Sequence, residues 1–337
     1  LVHDFLDQYG GAERVLEVLC EIFPEAPIYT LLYDKEKMSA QGGSAFGGHE
    51  IHTSFLQKFP KFLRKNKKWL LPFIPTAPET FNLRDFDLII SSSGAWSKGI
   101  VTRLNTLHVS YIHSPMRFVW DANEAYLKGR GIGKKMGFFA RLILNYIRVW
   151  DKAAGDRPDY LIANSIYTQK RIKKYYGRES KIIYPPVVME YGTWNMEQDK
   201  KNTGYFLVVS RLSAYKNVDA IVEAFNKLEL PILIVGEGEE SERLKNMAAK
   251  NVNFLGWQSE ENLRKIYASA RAFIFAAEDD FGIAPVEAMA WGVPVLALRK
   301  GGAVETVIEG QTGEFFDSEM PEIIADTVRR FMENEKN

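Results

Sequence analysis

The chain has 337 residues, of which 46% are hydrophobic, and this length predicts two globular domains because single hydrophobic cores usually stop growing below it. Lysine plus arginine and aspartate plus glutamate both total 43, so overall charge indicates no nucleic-acid partner, and such a role would need a local patch. The single cysteine, Cys20, excludes an internal disulfide framework and a multi-cysteine zinc site, which is typical of a cytoplasmic protein.

The sequence shows no signal for crossing a membrane. No stretch approaches the roughly 18 to 20 apolar residues that span a bilayer, and no signal peptide opens the chain. We therefore expect a cytoplasmic protein, either soluble or peripheral on the inner face of the cell membrane. The first residues resemble the second half of a strand and include no initiator Met, so we expect a few residues to precede them.

Strand and helix patterns alternate along the first half of the chain and predict an α/β domain with a parallel sheet covered on both faces. The predicted strands are 1–6, 88–91, 107–112 and 160–164, and the predicted helices are 12–22 and 134–150. The glycine-rich stretch 41–48 predicts a mobile surface loop. The stiff segment 184–187 and the polar stretch 193–203 predict a linker, which divides the chain into domains 1–190 and 191–337.

The second domain repeats the alternation and predicts another doubly wound parallel sheet. Its predicted strands are 205–209, 232–235, 253–255, 272–275 and 293–298. Its predicted helices are 218–227, 240–249, 259–268, one that begins near Pro285, and 319–333. Ligands of such sheets bind in the loops past the carboxyl ends of the strands, so we expect the functional residues in those loops.

An acidic cluster, a Phe-Gly turn and a Pro-led helix follow the strand at 272–275. Gly282 gives the backbone room to approach a ligand, and the amides at the helix start would face a phosphate or sugar. Asp279 and Glu287 are eight residues apart, so both carboxylates can border one pocket. The alternative is two solvated acids beside an amphipathic helix. The other candidate donor-binding residues of this segment are Glu278, Phe281, Ile283 and Ala284.

Two cations follow the strand at 205–209. Arg211 can grip two phosphate oxygens through its planar fork and Lys216 adds a compact charge, so both would offset the charge of a departing nucleoside diphosphate. A solvated surface is the alternative. Neighbouring strand ends and one more helix start add further candidates, whose glycines either close turns or flank a nucleotide base: Ser210, Gly236, Gly256, Trp257 and Glu305.

The first domain supplies two more candidate segments. Gly10 and Gly11 join the first strand to the first helix and allow close approach by a donor phosphate or an acceptor, with a plain tight turn as the alternative. His113 stands at the end of the strand at 107–112 with Arg117 nearby. A lone His is more often structural, but this position favours a role in a site.

Several motifs occur together in an order that resembles the mannosyltransferase-like branch of glycosyltransferase family 4. They are YGGAERVLE at 9–17, HSPMRFVWD at 113–121, IANS at 162–165, YPPV at 184–187 and the acidic motif at 275–293. The resemblance spans nearly the whole chain. It implies the GT-B fold, in which two Rossmann-like doubly wound domains face each other across a cleft. The family ends with helices that cross back onto the first domain, and we expect these to be missing here.

The resemblance also implies roles for individual residues. Glu287 would bind the nucleotide ribose, and Arg211 with Lys216 would clamp the pyrophosphate. His113 would lie near the transferred sugar, with the rest of its motif on the acceptor side, at Arg117, Trp120 and Asp121. The sequence departs from the family at one position, since Asp279 stands where the family has Glu and Glu278 lies one residue too early. Either acid can take the role beside the sugar hydroxyls.

The implied reaction transfers a sugar from a nucleotide donor to a hydroxyl with retention of configuration. The branch implies GDP-mannose as the donor and a glycan or lipid-linked acceptor in polysaccharide or glycolipid assembly. Cations can stabilise the leaving group and no His or Asp cluster has metal-ligand spacing, so we expect no metal and no cofactor. Two alternatives stay open, a UDP-sugar transferase of the same fold and an inactive nucleotide-sugar-binding protein of an assembly complex.

A basic segment of the first domain is interleaved with aromatic and aliphatic residues. Its cations are Lys58, Lys61, Arg64, Lys65, Lys67 and Lys68. This mixture suits an anionic membrane surface, which a lipid-linked acceptor would explain. The alternative is a basic surface helix over a local apolar core.

Overall fold

In the computed structural model the chain forms two compact units, Leu1–Pro186 and Val187–Asn337. The structure describes residues 1–40, 43–121, 134–187 and 204–334. The predicted domain boundary between residues 190 and 191 and the predicted polar linker at 193–203 lie outside the described residues. Within the described ranges, no helix combines the length and apolar character needed to span a membrane.

The first unit contains one sheet of seven parallel strands. They are β1 (Val2–Leu6), β2 (Ile28–Tyr33), β3 (Ile51–Thr53), β4 (Leu88–Ser93), β5 (Leu107–Ile112), β6 (Tyr160–Ala163) and β7 (Lys181–Ile182). Their order is β3-β2-β1-β4-β5-β6-β7, so the chain winds outward in one direction from β1 and then in the other from β4. This is the doubly wound order of Rossmann-type domains.

Five α-helices accompany this sheet in the described residues. They are α1 (Gly11–Ile22), α2 (Lys35–Ala40), α3 (Lys61–Lys65), α4 (Lys134–Gly155) and α5 (Ile166–Tyr176). The start of α5 shows how local sequence sets a boundary, because the Ser165 hydroxyl accepts a hydrogen bond from the Thr168 amide at 2.8 Å. Gly177 ends the helix with a φ of +69°, a conformation that glycine adopts without strain.

The prediction of a mobile surface loop at 41–48 is wrong for its described part. Residues Gly43–Gly48 form a 3₁₀ helix, and Phe46 within it is fully buried. The Phe46 side chain joins a core cluster with Leu16 and Cys20 of α1, so burial of one aromatic ring fixes a glycine-rich segment. Cys20 is a buried core residue, as its small apolar character predicts.

The second unit contains a sheet of six parallel strands. They are β8 (Tyr205–Val209), β9 (Ile232–Val235), β10 (Val252–Gly256), β11 (Ala270–Phe275), β12 (Val295–Leu298) and β13 (Gly313–Phe316), in the order β10-β9-β8-β11-β12-β13. Its helices are α6 (Val218–Leu228), α7 (Ser241–Met247), α8 (Glu260–Ala268), α9 (Ile283–Ala290), α10 (Ala303–Thr306) and α11 (Pro321–Asn334). The prediction of α/β architecture with parallel sheets is confirmed in both units.

Both faces of the second sheet are buried, which explains its continuous apolar strands. Along β8, Phe206 and Val208 join one core cluster, and Leu207 between them joins the other. Successive strand residues point to opposite faces, so a run without polar residues can only be buried on both sides. This packing leaves the strand ends as the places where polar side chains reach the surface.

Candidate functional site

The predicted donor-binding residues of the second unit gather at the carboxyl edge of its sheet. Segment 210–216 follows β8, segment 236–238 follows β9, segment 276–287 follows β11, and segment 299–305 follows β12. The neighbours β8 and β11 lie where the winding direction of the chain reverses. Doubly wound sheets form a crevice at such a switch point, and ligands bind there.

Lys216 and Asp279 meet at this switch point, one from each of the two central strands. The Lys216 ammonium donates a hydrogen bond to Asp279 Oδ2, and the two side chains are only 14% and 17% exposed. Burial alone lowers the pKa of Lys216, but the attraction of the Asp279 carboxylate outweighs it and the net pKa lies above the ordinary value. Lys216 is therefore positively charged at neutral pH. The structure thus joins two residues that the sequence places 63 positions apart.

Arg211 lies beside this pair on the exposed side of the same loop. Its guanidinium donates to the Tyr215 hydroxyl at 3.0 Å, and Tyr215 also lies under the Lys216 ammonium, which is 5.1 Å from the ring centroid. Asn217 anchors the end of the loop, since its side-chain amide donates to the Ala276 carbonyl at 3.0 Å. The loop after β8 is thus held against the end of β11 with both cations at the switch point.

Glycines allow the acidic loop to pack directly on the loop after β12. A Cβ on Gly301 would lie 2.2 Å from the Asp279 carbonyl oxygen, and Gly301 has a φ of +64°. A Cβ on Gly302 would lie 2.4 Å from the Phe281 Cα. The Gly302 amide donates to the Asp279 carbonyl at 2.9 Å. Backbone contact of this kind fixes the position of Asp279. Glu278 and Glu305 in these two loops are half-buried.

The start of α9 is the helix terminus that the sequence predicts for binding an anion. Gly282 precedes it with a φ of +85°, no side chain caps it, and no acidic residue occupies its first turn, so the amides of Ile283 and Ala284 open onto the loop. Further along the same helix, Glu287 accepts a hydrogen bond from the buried Tyr267 hydroxyl at 3.0 Å. Tyr267 orients Glu287, the predicted partner of the ribose, and sequence reasoning missed Tyr267.

Gly236 has a structural reason to be glycine. Its φ is +123°, and a Cβ there would lie 2.0 Å from the Ser210 carbonyl oxygen. Its amide donates to the Gly256 carbonyl at 2.8 Å, which joins the ends of β9 and β10. Trp257, directly after Gly256, is partly exposed. Contact of these residues with a nucleotide base stays a prediction.

In the first unit, His113 ends a hydrogen-bonded chain of buried polar side chains. Its Nε2 lies 2.8 Å from Ser92 Oγ, which is 3.1 Å from His3 Nδ1, and His3 Nε2 lies 3.5 Å from Glu13 Oε1. Glu13 belongs to α1 and lies two residues after Gly11. The structure thus connects the two predicted segments of the first domain through residues that the sequence did not single out.

Asp4 is a second residue that sequence reasoning missed. Its buried carboxylate accepts hydrogen bonds from the Ala95, Trp96 and Ser97 amides at 2.6, 3.0 and 2.6 Å. Three amides converging on one carboxylate hold the loop after β4 against β1. Gly10 caps α1 in an extended conformation with a φ of −160°, so its backbone is not strained.

All three predicted acceptor-side residues make contacts within the first unit. Asp121 forms an ion pair with the buried Arg171 at 2.8 Å. The Trp120 indole donates to Asp151 at 2.7 Å, and Asp151 in turn pairs with the buried Lys98 at 2.6 Å. Arg117 lies over the Tyr167 ring at 6.0 Å. A role of these residues in acceptor binding stays a prediction.

The basic segment forms short turns, not one continuous helix. Residues Phe55–Lys58 and Lys67–Leu70 are 3₁₀ helices on either side of the five-residue α3. Lys58 and Lys61 are exposed, whereas Lys67 pairs with Asp7 at 2.8 Å and lies over the Phe5 ring. Arg64 is half-buried, and the side chains of Lys65 and Lys68 lie outside the described residues.

No group of three or more His, Cys, Asp or Glu side chains comes together as a metal site in the part of the chain that the structure describes. The charged groups that meet at the switch point of the second sheet are Lys216 and Asp279, with Arg211 beside them, and the uncapped start of α9 follows Asp279 in the chain. Two doubly wound units with this chemistry are typical of α/β proteins that bind phosphorylated ligands.

The chain belongs to glycosyltransferase family 4. The model of that family, Glycosyltransferase Family 4, matches residues 9–191, and the model of glycosyl transferases group 1 matches residues 194–337. The resemblance to this family is confirmed. The GT-B fold is also confirmed, because a solved structure of Anabaena HepE in complex with UDP and glucose covers 99% of this chain and 90% of its own, with a TM-score of 0.67 at 19% identity.

Two curated relatives show how far the similarity extends. An uncharacterized glycosyltransferase of Methanocaldococcus jannaschii is 24% identical over 239 residues, which are 68% of this chain and 67% of the relative. A GDP-mannose-dependent alpha-mannosyltransferase of Corynebacterium glutamicum is 32% identical over 126 residues, which are 37% of this chain and 30% of that enzyme. The chain thus spans less than a third of the mannosyltransferase that it matches.

Proposed function

We propose that this protein is a retaining glycosyltransferase that moves mannose from GDP-mannose to a hydroxyl of a glycan or lipid-linked acceptor. The observation that carries the proposal is the meeting of Lys216 and Asp279 at the switch point of the second sheet, with Arg211 beside them. Cations there suit a diphosphate, and a carboxylate beside them suits sugar hydroxyls. The mannosyltransferase of C. glutamicum supports mannose as the sugar.

Each group of the site has a place in this proposal. The diphosphate contacts Arg211, Lys216 and the amides at the start of α9, and Glu287 accepts hydrogen bonds from the ribose hydroxyls. Asp279 neutralises part of the Lys216 charge. Donor binding would therefore place the diphosphate on the exposed side of the pair and leave Asp279 facing the sugar.

The proposed reaction breaks the bond between the sugar anomeric carbon and the diphosphate oxygen. The acceptor oxygen forms the new bond on the same face of the sugar, and the acceptor proton passes to the departing diphosphate. The main task of the protein is to stabilise the negative charge that grows on that diphosphate. Fixed cations and helix amides perform this task without reorganising, and such electrostatic stabilisation is usually the largest single contribution to catalysis.

Calorimetric titration tests the donor class. We expect GDP-mannose and GDP to bind without added metal and in the presence of EDTA, and UDP-glucose, UDP and NAD to bind at least about tenfold more weakly. Arg211→Ala together with Lys216→Ala should abolish binding, since each charged hydrogen bond contributes about 1.5–3 kcal/mol. Arg243→Ala with Lys245→Ala is the matched control, because it removes two cations from exposed ion pairs in the same unit.

The outcomes of this titration separate the alternatives. Binding of UDP compounds alone would keep the fold but transfer the proposal to a UDP-sugar donor, which the UDP and glucose in the HepE structure make the second candidate. Binding without turnover toward any acceptor, and without donor hydrolysis, would indicate the inactive binding protein. That candidate is favoured by one observation, the shorter Asp279 in the place of a family Glu. A requirement for Mg²⁺ would contradict metal independence.

We further propose that the enzyme works as a peripheral protein on the cytoplasmic face of a membrane, where lipid-linked acceptors reside. The exposed Lys58 and Lys61 of the basic segment support this location. Lys67 contributes less, because Asp7 already neutralises it. If charge reversal of Lys58 and Lys61 leaves sedimentation with anionic liposomes unchanged, the basic segment is not a membrane contact.

A further inference from the structure

The loop after β8 carries an aromatic ring that the packing of the second unit does not explain. Leu212 of this loop is buried in a core cluster, whereas Tyr215, three residues later, is 42% exposed. Tyr215 lies in a single 3₁₀ turn, Ala214–Lys216. The ring therefore stands at the switch point of the second sheet, on the same loop as the two cations of the candidate site.

The Tyr215 hydroxyl has a proton to donate. A guanidinium nitrogen of Arg211 lies 3.0 Å from the Tyr215 hydroxyl oxygen. A guanidinium carries only donors, so the hydroxyl oxygen must accept this hydrogen bond. The contact with Arg211 thus uses the hydroxyl as an acceptor and leaves its proton as a donor. The loop offers a neutral hydrogen-bond donor directly beside two cations.

The ring of Tyr215 holds the two cations close together. The Lys216 ammonium lies 5.1 Å from the ring centroid, and the guanidinium carbon of Arg211 lies 6.0 Å from it. An aromatic ring attracts a cation at such distances. Arginine and lysine side chains are long and flexible, so holding them in place beforehand lowers the entropy cost of binding a ligand. Like charges this close also repel each other, and a bound anion relieves that repulsion.

A diphosphate is the part of a nucleotide sugar that matches these three side chains. The Arg211 fork can grip two phosphate oxygens, Lys216 contributes a compact charge, and a hydroxyl forms short hydrogen bonds to charged oxygens. The guanidinium carries five N–H groups, so its bond to Tyr215 is compatible with a bidentate grip on phosphate. Sugar hydroxyls are neutral and gain little from two adjacent cations, so they fit this loop less well.

We propose that Tyr215 is a donor-binding residue, whose hydroxyl donates a hydrogen bond to a diphosphate oxygen while its ring holds Arg211 and Lys216 in place. The inference rests on the proposed function only in that the ligand is a nucleoside diphosphate, and it holds for GDP and UDP alike. Hydrogen bonds to charged acceptors are the stronger ones, so this bond strengthens as negative charge grows on the departing diphosphate.

Binding of GDP, inorganic pyrophosphate and guanosine to the variant Tyr215→Phe tests this role. The variant loses the hydroxyl and keeps the ring. We expect its affinity for GDP and pyrophosphate to fall about tenfold and its affinity for guanosine, which has no phosphate, to change less than about twofold. Calorimetry measures GDP, and competition with GDP measures the other two ligands. The matched control is Tyr205→Phe, which removes a hydroxyl that donates to the Ile266 carbonyl at 2.7 Å, at the other end of β8, and should leave all three affinities unchanged.

Two further variants test the ring and its link to Arg211. Tyr215→Leu should bind GDP about threefold more weakly than Tyr215→Phe, because the ring then holds neither cation. In an Arg211→Ala background, Tyr215→Phe should weaken GDP binding less than about threefold, because Arg211 no longer orients the hydroxyl. Tyr215 is exposed, so the urea midpoint of each Tyr215 variant should match that of its parent.

The outcomes separate this role from the proposed function. Unchanged GDP affinity in Tyr215→Phe, or equal losses of GDP and guanosine affinity, overturns the role of Tyr215. Binding of UDP alone overturns GDP-mannose as the donor, and the same comparison is then made with UDP and uridine. A selective loss of pyrophosphate affinity in a protein that transfers no sugar supports the role of Tyr215 and overturns the transferase. A protein that binds neither nucleoside diphosphates nor pyrophosphate overturns both.

Discussion

The two units arrange their first six strands in the same order but place their charged side chains in opposite environments. In the first unit, Lys98 and Asp151 form an ion pair that is 1% and 0% exposed, and Glu13 and Arg171 are buried as well. In the second unit, Arg211 is exposed and the Lys216–Asp279 pair keeps contact with solvent at the switch point. The charges of the first unit hold loops and helices in place, and those of the second can meet a ligand.

This difference shows that the doubly wound topology does not by itself determine the chemistry of its carboxyl edge. The loops after each strand decide whether a charge is enclosed or presented. Removing a charge should therefore cost stability in the first unit and ligand binding in the second. Each of the following changes tests one side of that contrast.

The largest effect is expected for Asp151→Ala. Its carboxylate pairs with Lys98 and accepts from Trp120 and Tyr176, so the change leaves a buried ammonium without its counter-ion. Removing one partner of a buried pair typically lowers the free energy of unfolding by about 3–5 kcal/mol. Urea unfolding followed by circular dichroism measures this free energy of unfolding. The control Asp156→Ala removes an exposed pair with Lys152 and should cost about 0.5 kcal/mol, so equal losses in the two variants would contradict the contrast.

A pH-dependent loss of stability is expected from His108. Burial lowers its pKa to about 4; Asp159 opposes this effect, and Arg178 adds to it. The unfolded chain takes up a proton near pH 6.5 and the folded protein only near pH 4, so the unfolded state binds more protons between these values. Stability should fall by about 3 kcal/mol as pH falls through this window. In His108→Gln the urea concentration at the unfolding midpoint should change less between pH 6.5 and 4 than in the unaltered protein. Parallel curves of midpoint against pH for the two proteins would refute this assignment.

A smaller effect, on ligand binding, is expected for Gly301→Ala. The added Cβ would meet the Asp279 carbonyl oxygen, so the acidic loop must shift beside Lys216. We expect donor affinity to fall about tenfold, or about 1.4 kcal/mol, in calorimetry. Gly310→Ala is the matched control, because Gly310 has a φ of +75° with no atom within 4 Å of the added carbon. It shares the backbone strain but should leave affinity unchanged.

Local sequence signals were enough to predict the alternating architecture and the strand ends that carry the candidate site. Lys216, Asp279 and Glu287 could be found because cations, glycines and acids after an apolar strand have a recognisable order. The family resemblance then gave the GT-B fold. Short strands such as β3 and β7 have too few residues to show a period, and their pairing becomes visible only in the sheet.

Partnerships between distant residues could not be predicted in this way. His3 faces Ser92 because β1 and β4 are paired in that register, although 89 positions separate them. Asp4 meets the amides after β4 for the same reason. At Phe46 the local sequence predicts the wrong structure. Its glycine-rich surroundings favour a loop, and only the core around it explains its burial. Burial and register are properties of the assembled sheet, so no short motif encodes them.

The hydroxyl of Ser92 has a single proton but lies within hydrogen-bonding distance of two imidazoles, His3 and His113. It can donate that proton to only one of them, so the other ring must donate an N–H to the serine oxygen. The tautomeric states of the two histidines are therefore linked. The carboxylate of Glu13 lies at the far end of this line of hydrogen bonds.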